Sequence, residues 1–191
     1  ALGAALLADT TYGTQVNSGG VLEVQGGLTI TDERLKLQGG GNYPVASATW
    51  ATGPTFPYAG TAWGVGALRA VSGANVWTQS AAGQNLVEFV AGNDSGIGAD
   101  SGASIEIKGV YRPWDGLSTL KTGPGTLIFS SLGDVQGTPN AGTAALRLNE
   151  GTVVFNKAGT DVAVLNNVYV GDGKGGENAD VVRYGASAGG N

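Results

Sequence analysis

Any chemistry in this chain has to come from carboxylates, lysines and arginines, because it contains no histidine and no cysteine. Those absences remove Ser-His-Asp and Cys-His nucleophilic catalysis and most transition-metal sites. They also remove a disulfide framework. A hydrolase or lyase working through acidic groups with Arg or Lys stays open in principle, but it needs several carboxylates converging on one face. The candidates are Asp94, Asp100, Asp115, Asp134, Asp172 and Asp180, and each stands in its own glycine-containing stretch. Solvated corner residues are distributed in that way, so the acidic pattern argues against an enzyme.

One acidic run has a second reading. Gly175-Gly176-Glu177-Asn178-Ala179-Asp180-Val181-Val182-Arg183 nearly fits the nonapeptide that binds calcium in β-rolls. Asn178 stands where a glycine belongs, and no second copy follows in register. Calcium takes six to eight oxygen ligands, drawn here from adjacent turns. On this reading Asp172, Glu177 and Asp180 are the ligands of a Ca²⁺ site. The same run reads equally well as a polar loop leading into a strand at 181–184.

The third group of candidates is aromatic. Residues 42–63 hold Tyr43, Trp50, Phe56, Tyr58 and Trp63 together with Pro44, Pro54 and Pro57. Proline cannot donate to a strand ladder, so the segment reads as a long loop inserted beside strands. Exposed rings could stack on sugars or dock into another protein. The alternative is a loop folded back to cover one flank. The expectation is that this loop is the main lateral contact surface, between chains or between distant coils.

The elements that position these groups are short strands. The chain has 35 glycines in 191 residues, 13% charged residues and 41% hydrophobic residues. It therefore has many turns and enough apolar surface to bury a core. Helical periodicity is confined to residues 1–8, and the rest alternates with period two. A recurring unit is a small residue followed by a strand with aliphatic residues two apart. Gly20 leads Val21-Leu22-Glu23-Val24, Gly102-Ala103 leads Ser104-Ile105-Glu106-Ile107, Gly125 leads Thr126-Leu127-Ile128-Phe129, and Gly151 leads Thr152-Val153-Val154-Phe155. Related pairs are Leu28/Ile30, Leu35/Leu37, Leu146/Leu148 and Val168/Val170. Such pairs face one side of a strand, leaving Thr, Glu, Lys or Arg on the other.

Strands this short bury their apolar faces by stacking, each coil on the next. Leu22, Leu28 and Leu35 suit successive sides of one coil, and the step from Ile105 to Leu127 suits a full coil. At roughly 20–25 residues per coil the chain would make about eight coils, a rod on the order of 40 Å long. An antiparallel sandwich is the competitor. Only Asp115-Gly116 and Asp172-Gly173 offer two-residue hairpin turns, and the longer turns elsewhere favour a solenoid.

Leu117-Ser118-Thr119-Leu120-Lys121-Thr122-Gly123-Pro124-Gly125-Thr126-Leu127-Ile128-Phe129-Ser130, followed by the loop 131–142 and Leu148-Asn149-Glu150-Gly151-Thr152-Val153-Val154-Phe155, resembles the passenger-associated repeat of bacterial autotransporters. The lysine, the glycines, Gly-Thr-Leu and the later Asn-x-Gly-Thr fall in the repeat's order, with Thr119, Phe129 and Val153 in place of leucines. Residues 66–77 and 16–24 also look like segments of such proteins. The resemblance implies a right-handed parallel β-helix spanning residues 1–191, export to the bacterial cell surface, and a stalk, filament or adhesin role without catalysis. The segment 42–63 departs from the pattern.

Partners follow from charge and ends. The net charge is −5 and the ten basic residues are scattered, so nucleic acid is a poor partner. No stretch approaches ~20 apolar residues, so no helix spans a membrane. The chain lacks methionine and reads as a piece of a longer protein, with any export signal upstream. Neither terminus reads as a cap, so further copies are expected end to end as well as laterally. Glycans or a neighbouring cell surface are the remaining partners.

Overall fold

The computed structural model describes residues 13–41, 64–80, 85–89, 94–112, 118–130, 145–158, 163–164, 167–171 and 180–186. Among them the only regular element is the β-strand. The chain runs in circuits. The first places β1 (Thr14–Val16), β2 (Leu22–Val24) and β3 (Thr29–Thr31); the second places β4 (Leu35–Leu37), β5 (Leu68–Ala70) and β6 (Ala74–Thr78). The third places β7 (Asn85–Phe89), β8 (Ser95–Ala99) and β9 (Ser104–Lys108), and the fourth β10 (Val110–Arg112), β11 (Thr119–Thr122) and β12 (Thr126–Ser130). Two further circuits contribute β13 (Ala145–Leu148) with β14 (Thr152–Asn156), and β15 (Asn167–Val170) with β16 (Val181–Tyr184).

Each strand pairs in parallel with the strand one circuit away, giving three sheets. The first runs β1-β4-β7-β10, the second β2-β5-β8-β11-β13-β15, and the third β3-β6-β9-β12-β14-β16. Three parallel sheets visited in rotation are compatible with a β-solenoid. Leu127 lies beside Ile105 in register, so their 22-residue separation is one circuit. Of Leu22, Leu28 and Leu35, expected on successive sides of one coil, Leu22 lies on β2, Leu28 just before β3, and Leu35 opens the second circuit on β4. The described residues form six rungs in the second and third sheets, about 24 Å from first to last at ~4.8 Å per rung. That is shorter than about eight coils, because circuits reach 29 residues from Leu68 to Ile97 and one circuit carries residues 42–63.

Register turns alternation into columns. In the third sheet Ile30, Trp77, Ile107, Phe129, Phe155 and Tyr184 stack rung on rung. The rings of Phe129 and Phe155 are 6.4 Å apart, and those of Phe155 and Tyr184 5.9 Å. Tyr111 of the first sheet adds a ring 5.1 Å from Phe129. Aromatic pairs at such distances add to the burial of area. In the second sheet Leu22, Leu68 and Ile97 lead to Lys121, Leu148 and Val170. The expectation that lysines keep to the outer face fails at this rung. Lys121 shares the column of Ile97 and Leu148, both fully buried, while Leu120 lies on the opposite face with Gly96 and Arg147.

Candidate functional site

Inward polar side chains at the corners between sheets are the most chemically distinctive groups of the described interior. The ammonium of Lys121 donates to the carbonyls of Thr122 at 2.8 Å, Gly123 at 2.5 Å and Glu150 at 3.0 Å. An ammonium has three N–H groups and no acceptor, so three carbonyls match its valence. The first two belong to its own circuit and the third to the next. The carboxylates of Glu150 and Asp180 also bear on it electrostatically, and Asp180 stands one circuit further on, at the entrance to β16. Burial dominates those attractions and pulls the lysine down to about 7.

Lys157, just after β14, repeats the device at another corner. Its buried ammonium donates to Gly109 at 3.0 Å and Ser130 at 3.3 Å, carbonyls of earlier circuits. Asn75 on β6 serves the first three circuits. Its side-chain oxygen accepts from the Leu28 amide, and its nitrogen donates to the carbonyls of Ser72, Gly73 and Ser104. The Trp77 indole donates to the Glu33 carbonyl at 2.6 Å. Buried backbone groups outside the ladders need partners, and these side chains supply them. A neutral amine is a nucleophile, yet Lys121 is sealed from solvent. Its geometry joins circuits.

The acidic candidates lie apart. Asp94, before β8, accepts from the Ser118 amide at 2.6 Å, and burial raises its carboxyl above the usual value. Asp100, after β8, accepts from Nε and Nη2 of the Arg69 guanidinium at 2.9 and 2.7 Å. Arg69 also reaches Glu23 at 3.0 Å, so it spans the first three circuits on the outer face. The hydrogen bonds that Arg69 donates to Asp100 are the chief cause that raises its guanidinium above the usual value. Asp180 is the one proposed calcium ligand within the described residues, and it lies in the field of Lys121. Asp172 and Glu177, with Asp115 and Asp134, lie outside the described residues, as do Tyr43, Trp50, Phe56, Tyr58 and Trp63. Among the described residues no cluster of three acidic groups is placed to hold a metal ion, and no helix is long and apolar enough to cross a membrane.

The last rung differs from the others. Every residue of β15 is exposed, including Val168, Tyr169 and Val170, and Tyr184 on β16 is 70% exposed. These residues continue columns that are fully buried two rungs earlier. At the first rung Leu28 is likewise 49% exposed. Sequence reading missed Lys121, Lys157 and Asn75 because hydropathy places such residues outside. The available signal was register, since Lys121 stands 24 residues after Ile97 and 27 before Leu148.

No family model, curated protein or solved structure matches the chain.

Proposed function

We propose that the chain is a structural length of a right-handed β-solenoid on the surface of a bacterium, extended by end-to-end stacking of further circuits. One observation carries the reading: the inward columns of the second and third sheets run through six rungs and are still open at the last. Val170 and Tyr184 end their columns exposed, and the outer edges of β15 and β16 carry no described strand. Unpaired edges above exposed apolar side chains favour another rung. Leu22 and Ile30, at the opposite ends of the same columns, are half-buried and would meet Val170 and Tyr184 of a preceding copy. A head-to-tail contact of this kind propagates as a filament. The right hand follows from the strong preference of parallel crossovers. The cell-surface setting follows from the resemblance at 117–155. Interior charges engaged on backbone carbonyls favour a scaffold over a catalyst.

The test is light scattering and electron microscopy of the purified chain over a concentration series, beside the double variant Val170→Asp/Tyr184→Asp. The parent should form particles that lengthen with concentration, and the variant should not. A parent that stays a monodisperse 19.0 kDa monomer would refute end-to-end stacking.

A second reading, an adhesin that holds neutral glycans, is favoured by residues 42–63, which contain five aromatic side chains and no charged one. Rings without charge suit sugar faces. A glycan array probed with the parent and with a chain lacking residues 44–62 separates the two readings. Retention of a sugar by the parent alone supports the adhesin, and silence from both rejects it.

A further inference from the structure

The step between β2 and β5 is the longest in the second sheet. Leu22 pairs with Leu68, 46 residues on, whereas Ile97 pairs with Lys121 after 24. Residues 42–63 number 22, and a chain without them would take the 24-residue step found at Ile97.

The two flanks of that segment meet. The Gly66 amide donates to the Gly40 carbonyl at 2.8 Å. A Cβ on Gly41 would fall 2.3 Å from the Gly66 carbonyl oxygen, and Gly41 has a positive φ of 83°. Only glycine combines that conformation with that approach. Both flanks are also seated on β8. The Gly96 amide donates to Gly39 at 3.1 Å, the Ala67 amide donates to Gly96 at 2.8 Å, and Gly39 bridges to Ser95. The outward positions of β8 are Gly96 and Gly98. A Cβ on Gly98 would lie 1.8 Å from the Val65 carbonyl oxygen, and one on Gly96 would lie 3.1 Å from the Gly66 Cα. Backbone rests on backbone at this corner, and the glycines make that approach possible.

We infer that the corner between β4 and β5 is a built attachment point. The circuit closes through Gly40, Gly41 and Gly66 on the Gly96–Gly98 platform, independently of the sequence carried between the flanks. With 42–63 removed, Gly64 and Val65 become the two central residues of a tight turn from Gly41 to Gly66. The corner is thus a display position, a use that deepens the adhesin reading but does not depend on what the natural segment binds.

Three variants test it in the full chain. The first deletes residues 42–63. The second replaces them with a Gly/Ser segment of equal length carrying six histidines at its centre. The third is Gly98→Ala alone. The replaced chain should keep the far-ultraviolet circular dichroism and the melting temperature of the parent within a few degrees, and the deleted chain should melt at or above the parent because fewer residues separate β4 from β5. The replaced chain should bind immobilised nickel while folded, which the parent, with no histidine, does not. Gly98→Ala should melt far below the parent or lose its cooperative transition. A deletion that fails while the replacement folds still carries the inference, since the sequence of the segment is then dispensable. Loss of the parent spectrum in both would overturn it, as would a folded replacement that nickel does not retain or an unchanged Gly98→Ala. None of these readouts uses a sugar, so the glycan reading can fail separately.

Discussion

Replacing Lys121 with methionine gives the sharpest test of the interior, because the effect has a sign as well as a size. Methionine keeps most of the volume of the lysine stem and removes the ammonium. In the parent the lysine is pulled from 10.5 down to about 7 by burial, against the pull of Glu150 and Asp180. Below pH 7 it carries its proton in both folded and unfolded chains, and the folded chain bears the cost of a buried charge. Above pH 7 the folded chain releases that proton while the unfolded chain holds it, so parent stability rises with pH. One pKa unit corresponds to about 1.4 kcal/mol, and integration from pH 6 to pH 9 gives the parent a gain of about 2.5 kcal/mol relative to Lys121→Met. Loss of the carbonyl contacts of the protonated amine sets a constant offset between the two chains, and the titration alone sets the slope. Carboxylates ordinarily titrate near pH 4, below this window. The measurement is urea unfolding of both chains by far-ultraviolet circular dichroism at several pH values, plotted as the difference in stability. A rising difference is expected. A flat line from pH 6 to pH 9 would mean that the carbonyls and carboxylates offset burial and the amine keeps its proton in the folded chain, and would refute the argument.

Phe129→Ala should cost about 3–5 kcal/mol, because it opens a void between fully buried neighbours and breaks ring contacts to Tyr111 and Phe155; chemical denaturation measures it. Arg69→Ala should cost only about 1 kcal/mol, since its partners Glu23 and Asp100 are partly exposed. That loss should shrink in high salt, which a denaturation series at two ionic strengths would check. Asp94→Asn should keep the acceptor for the Ser118 amide. Because burial raises this carboxyl in the folded chain, the folded state holds its proton longer than the unfolded state. Parent stability should therefore fall relative to the variant as pH rises through the raised value, as acid-range melting curves would show.

The parts of the fold that were legible in the sequence are those where alternation and circuit length agree. Ile105 and Leu127 share a column because both lead strands of one register, and their spacing alone gave the circuit. Leu35 and Leu37 are buried as their alternation required. Alternation is silent about which of two faces looks inward when both are covered. Thr119-Leu120-Lys121-Thr122 reads as leucine in and lysine out, whereas all four residues are buried and the lysine looks in. Val168 and Val170 have the inward pattern yet are exposed, since burial of a rung depends on the next one and not on its own sequence. Of the site candidates, Asp94 and Asp100 were legible as corner residues. Their partners Ser118 and Arg69 were not, because partnership across circuits lies 24 and 31 residues away in the chain.

Stacked rungs of similar shape carry a hazard: a strand can pair one rung too early or too late and still bury aliphatic side chains. Asn75 answers that hazard. Its column continues through Ile105, Leu127 and Val153, none of which can accept from the Leu28 amide or donate to three corner carbonyls. A slip that put any of them in its place would strip these part-buried corner groups of their side-chain partner, at a cost of about 1 kcal/mol for each hydrogen bond lost. One amide among aliphatics thus numbers the rungs, and lets a repetitive chain find a single alignment.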